Sequence, residues 1–73
     1  MDEKLEKNKF IRNQLLPLIK KVNPDVKRLV YFYDNATNEE TCHVVFKNNY
    51  HEIVNISADS LSAITRDVLR AVE

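Results

Sequence analysis

The run RLVYFYD, residues 28–34, decides how this chain folds. Read as a strand, it alternates its side chains between two faces. Val30 and Phe32 then share one side, while Leu29, Tyr31 and Tyr33 share the other. Both sides are apolar or aromatic. A chain of 73 residues can cover one face of a sheet, so the question is what meets the second.

That length makes one domain, residues 1–73, with no room for a second core. An apolar content of 44% beside 30% charged residues is globular. A core of this size leaves about 3–5 kcal/mol of stability, so association with itself or a partner matters more than in a larger protein. The net charge is zero but uneven. Residues 2–22 carry six basic side chains against three acids, a net +3, and residues 23–73 carry five against eight, a net −3. Nucleic-acid-binding domains show a strong basic excess, whereas a basic first helix on an acidic body reads as a solvated lysine face. Cys42 is the one cysteine, which excludes an internal disulfide and favours a reducing compartment. No apolar leader and no run of about 20 apolar residues is present. The expectation is a cytoplasmic protein with no membrane span and no cofactor.

Glycine is absent, so any position with positive φ falls to Asn or Asp. The clusters NPD (23–25), DNATN (34–38) and NN (48–49) therefore mark the turns. They predict a helix over about 3–22, strands over about 27–34, 41–47 and 50–56, and a helix over about 58–72. In the first helix Ile11, Leu15, Leu18, Ile19 and Val22 form the apolar stripe, widened by Leu5 and Leu16, with Phe10 pointing away. Pro17 interrupts its hydrogen bonding and bends it. Ser57 reads as the cap of the last helix, with Asp59 favouring its positive end. Leu61, Ile64, Val68, Leu69 and Val72 form that helix's stripe, and no cap is evident at its end.

The register of the second hairpin follows from FKNNYHE, residues 46–52. A two-residue turn mixes polar and apolar side chains on both faces. A three-residue loop, Lys47-Asn48-Asn49 with Asn49 left-handed, pairs Phe46 with Tyr50. Cys42, Val44, Phe46, Tyr50, Val54 and Ile56 then share one face, and His43, Val45, Lys47, His51, Ile53 and Asn55 the other. The fold class is α+β: α-β-β-β-α, a three-stranded antiparallel sheet. Packing is most economical with both helices on the face built from Val30, Phe32, Val44, Phe46, Val54 and Ile56. One helix on each face is the alternative.

This order resembles the double-stranded-RNA-binding domain in topology. That family grips phosphates with a Gly-Pro loop and a lysine cluster. Here DNATNEE and SADS stand in those places, which argues against duplex RNA. Exposed tyrosines on a sheet suit single-stranded nucleic acid, but no basic stripe tracks a backbone. Cys42 lies across the sheet from His43 and His51, so no zinc set forms. A nucleophile with an orienting acid is also missing, and the chain reads as non-enzymatic. Arg66 and Arg70, one turn apart on the last helix, are candidate contacts for a charged partner.

The candidate interface is the second sheet face: Leu29, Tyr31, Tyr33, His43, Val45, His51 and Ile53, joined by Phe10. Such a patch marks an interface on a small protein, and tyrosine suits one. VVFKNNYHEIVNISADSLSAITRDVLRAV, residues 44–72, resembles short accessory proteins of phages and conjugative elements. That resemblance implies a setting in which such proteins bind host proteins, including defence nucleases. The reading is a protein-interaction module that forms a homodimer through its open sheet face. The alternative is an inhibitor that presents the same face, or an acidic surface of Asp34, Glu39, Glu40, Glu52 and Asp59 mimicking nucleic acid, to a host protein. A single-stranded nucleic-acid binder is the third reading.

Overall fold

The first helical segment is continuous but not uniform. It comprises α1 (Glu3–Phe10), a π-helical turn (Ile11–Leu15) and α2 (Leu16–Val22) in a computed structural model that describes residues 3–57 and 60–73. Pro17 sits just after the π-helical turn, at the start of α2, and has no N–H to donate back along the helix. Ahead of it the helix widens, and the Leu16 N–H bonds the Ile11 carbonyl five residues back. The wider turn rotates the two α-helical pieces relative to each other. Ile11, Leu15 and Ile19 are buried, at a constant spacing of four. Phe10 turns inward against the core rather than away from it. Leu5, Leu18 and Val22, expected in the stripe, are exposed.

Strands β1 (Val26–Asp34), β2 (Glu39–Phe46) and β3 (His51–Asn55) form one antiparallel sheet in the order β1-β2-β3. The second hairpin has the expected register. Phe46 N–H donates to the Tyr50 carbonyl at 2.9 Å, Asn49 has φ 68°, and His43 pairs with Ile53 and Val45 with His51. The first hairpin overturns the expected parity of β1. Its loop, residues 35–38, places Asp34 opposite Glu39. Asn38 takes φ 60° and donates its N–H to the Asp34 carbonyl at 2.8 Å, and the Asp34 carboxylate accepts from Ala36 N–H at 2.9 Å. Tyr31 then falls opposite Cys42 and Leu29 opposite Val44. Because side chains alternate, a change of parity moves the whole set to the other face. Leu29, Tyr31 and Tyr33 face the helices; Val30 and Phe32 do not.

A bulge at Lys27 completes the arrangement. Val26 pairs with Phe46 and Arg28 with Val45, so one residue is left over. The shift lets Val26 and Leu29, three apart, both point into the core, at 0% and 4% exposure.

The last helix, α3 (Leu61–Val72), is capped by Ser60, whose Oγ accepts from Ala63 N–H at 3.2 Å. Ser57, the expected cap, instead ties off the sheet: its Oγ accepts from Glu40 N–H at 2.8 Å. The role expected of Asp59 lies outside the described residues. At the other end Asn23 Nδ2 donates to the Val72 carbonyl at 3.2 Å, a cap supplied from far away in sequence. Ile11, Leu15 and Ile19 join Ile64, Val68 and Val72 over Leu29, Cys42, Val44 and Ile56. Both helical segments thus cover one face. Among the described residues no helix is long and apolar enough to cross a membrane.

Candidate interaction surface

The eight residues expected at the interface divide between the two faces. Phe10, Leu29, Tyr31 and Tyr33 lie on the helix-covered side, where the tyrosines are committed to structural contacts. Tyr31 Oη donates to Glu40 Oε2 at 2.5 Å, and Lys7 Nζ meets Glu40 Oε1 at 2.7 Å. Glu40 is nearly buried, so its carboxylate depends on these donors in place of water. The Tyr33 ring lies beneath Lys4, whose Nζ is 3.9 Å from the ring centroid, and its hydroxyl donates to Asn38 Oδ1 at 2.6 Å. An acid pointing inward next to a loop reads in sequence as surface charge, which hid this network. It also removes Glu40 from any acidic surface.

The open face is built from three cross-strand rows. Val30, His43 and Ile53 form the middle one, flanked by Arg28, Val45 and His51 on one side and Phe32, Thr41 and Asn55 on the other. Phe32 is 51% exposed and Ile53 61% exposed, while Val45 in the central strand is 3% exposed. The Phe32 ring packs diagonally on His43 with centroids 4.5 Å apart and planes at 52°, a tilted pairing suited to aromatic rings. His43, Val45, His51 and Ile53 therefore lie where the sequence places them, and Phe32 and Val30 replace the tyrosines. The deciding signal for Phe32, the four-residue loop, becomes visible only once Asp34 is seen paired with Glu39.

The remaining candidates carry little chemistry. Cys42 is buried in the middle of the sheet, and desolvation pushes its thiol up to about 12, which leaves it protonated and unreactive at neutral pH. Among the described residues no three His, Cys, Asp or Glu side chains converge to hold a metal ion. Arg66 Nε pairs with the neighbouring Asp67 at 3.1 Å, and Arg70 is exposed one turn further on. Tyr50 lies exposed at the hairpin end, where its hydrogen bond to Glu52, 3.1 Å long, and that carboxylate's charge raise its pKa. No family profile, curated protein or solved structure matches the chain.

Proposed function

We propose that the protein is a small, non-catalytic interaction module that self-associates through the open face of its sheet. The observation that carries this reading is the half-exposed Phe32 ring, held in place by His43 on the face opposite both helices. A large side chain fixed in position but left half in water gives up hydrophobic free energy that a contact recovers, about 1 kcal/mol for the exposed half of such a ring. Ile53 marks the other side of the same apolar surface. The tyrosines contribute nothing to it directly, since they serve the core.

The test is solution mass by light scattering across a dilution series, for the wild-type chain and Phe32→Glu. A wild-type dimer in the micromolar range is expected, and Phe32→Glu should be monomeric with a melting temperature close to that of the wild-type monomer. A wild-type chain that stays monomeric into the hundreds of micromolar would overturn the reading.

A further inference from the structure

We infer that two copies of the chain pair through the outer edges of their β1 strands, antiparallel about a two-fold axis at Tyr31, into one continuous sheet. This rests on the self-association reading but narrows the contact to the β1 rim of the open face, leaving the rest of that face uncovered.

The direction of the backbone groups defines the edge. Ile56 N–H donates to the Glu40 carbonyl and Phe46 N–H to the Tyr50 carbonyl, both at 2.9 Å, so these even-numbered residues of β2 turn their backbone toward β3. Bonding direction alternates along an antiparallel strand. Thr41, His43 and Val45 therefore bond β1, and their partners there are Phe32, Val30 and Arg28. The amides and carbonyls of Leu29, Tyr31 and Tyr33 point the other way, and among the described residues no strand lies beyond them. The helices leave this edge open along a groove of about 500 Å³ between Asn13, Leu16 and residues 28–31.

The two edges of the sheet are not alike. β3 has five residues, among them His51, Glu52 and Asn55, and a short polar strand is a common protection against pairing. β1 has nine, and its bulge and Lys27 lie at its start. From Arg28 to Asp34 it contains neither proline nor bulge.

The sequence of β1 is self-complementary about one axis. A two-fold axis normal to the sheet pairs only residues of equal parity. Centred on Tyr31, it sets Arg28 opposite Asp34 of the second copy, Leu29 opposite Tyr33 and Val30 opposite Phe32, each twice. Every cross-strand pair away from the axis is then apolar or oppositely charged. Centred on Val30 instead, Arg28 meets Phe32 and Val26 meets Asp34, and the bulge interrupts the ladder. Arg28, Val30, Phe32 and Asp34 all lie on the open face, so the exposed Phe32 ring closes against Val30 of the other copy between two ion pairs. Ile53, across the sheet on β3, takes no part.

Sedimentation equilibrium on the full chain tests this with Arg28→Asp, Asp34→Arg, the double exchange and Ile53→Glu, each checked for folding by circular dichroism. Either single reversal should weaken the dimer at least about tenfold, since it sets like charges opposite each other twice. The double exchange should return it to within about threefold of wild type, and Ile53→Glu should leave it unchanged. Asp34 also holds the first turn through Ala36, so a cross-link gives an independent measure. Val30→Cys with Phe32→Cys sits at a non-bonded pair about 4.5 Å apart between Cα atoms, within disulfide range, and should oxidise to a covalent dimer. Failure of the double exchange to restore the dimer, together with no cross-link, would overturn the pairing. A dimer broken by Ile53→Glu but indifferent to the reversals would overturn it too, while leaving self-association through the open face standing. A monomeric wild type would remove both.

Discussion

Tyr31 and Glu40 meet across the first hairpin, phenol to carboxylate, on the face that both helices cover. Lys7 reaches the same carboxylate from α1, so one nearly buried acid joins a helix to two strands. The contact also explains why the tyrosines are on that side. A buried phenol needs a polar partner for its hydroxyl, and a buried carboxylate needs donors. Each satisfies the other.

Breaking this group one member at a time should be costly. Lys7→Met leaves the carboxylate short of its cation, and Glu40→Met leaves the ammonium unpaired at 12% side-chain exposure. Either should cost about 2–4 kcal/mol in urea unfolding. The double variant should cost less than either single one, because no uncompensated charge remains. Tyr31→Phe should cost about 1–2 kcal/mol. Additive losses in the double variant would show that the pair is held by packing rather than by charge.

Cys42 should make stability fall at alkaline pH. Its folded pKa is raised from 9.0 to about 12, so between those values the unfolded chain has lost the thiol proton and the folded chain has kept it. Unfolding then releases a proton, and stability declines as pH rises through that window, by up to about 1.4 kcal/mol per unit. Below pH 9 the contribution is fully present. The stability difference between wild type and Cys42→Ala should therefore change between pH 9 and 11, with wild type falling faster. Parallel curves would count against a desolvated thiol.

Asn49 sits at φ 68°, a region that a β-branched side chain enters only with strain. Asn49→Val should cost about 1–2 kcal/mol by thermal unfolding, while Asn49→Gly should be neutral or mildly stabilising. A neutral valine would mean that the loop changes shape to accept it, which chemical shifts of Phe46 and Tyr50 would reveal.

Asn23 closes α2 and caps α3 at once. Its side-chain oxygen accepts from Asp25 N–H at 3.0 Å and its amide nitrogen donates to the Val72 carbonyl. Asn23→Ala should cost about 1–2 kcal/mol, and hydrogen exchange should quicken in the last turn of α3 as well as at residues 23–26. Faster exchange at residues 23–26 alone would confine its role to the turn.

The parts legible in the sequence were those where one periodicity excluded the alternatives. FKNNYHE separates polar from apolar positions in only one register, so the second hairpin could be read with its left-handed Asn49. Ile64, Val68 and Val72 lie on one helical face in any reading. RLVYFYD offered no such contrast, because both of its faces are apolar, and its parity is set by the length of the loop that places Asp34 opposite Glu39. Pro17 promised a bend, but the helix answered with a wider turn that brought Phe10 in and left Leu18 and Val22 out. Of the eight candidate residues, four therefore lie on the open face and four on the side of the helices. The β2 and β3 residues followed from the second hairpin, and the β1 residues were exchanged for their neighbours.

The absence of glycine has a consequence for the state that the chain leaves when it folds. Every backbone position carries a Cβ, and the two left-handed residues of the hairpins, Asn38 and Asn49, are held there by their turns. An unfolded chain without glycine has fewer conformations to give up, and at positions of negative φ each side chain in place of glycine is worth about 0.4–1 kcal/mol. Part of the stability of this small domain is thus a restriction of its disorder, made by residues that need touch nothing in the native state.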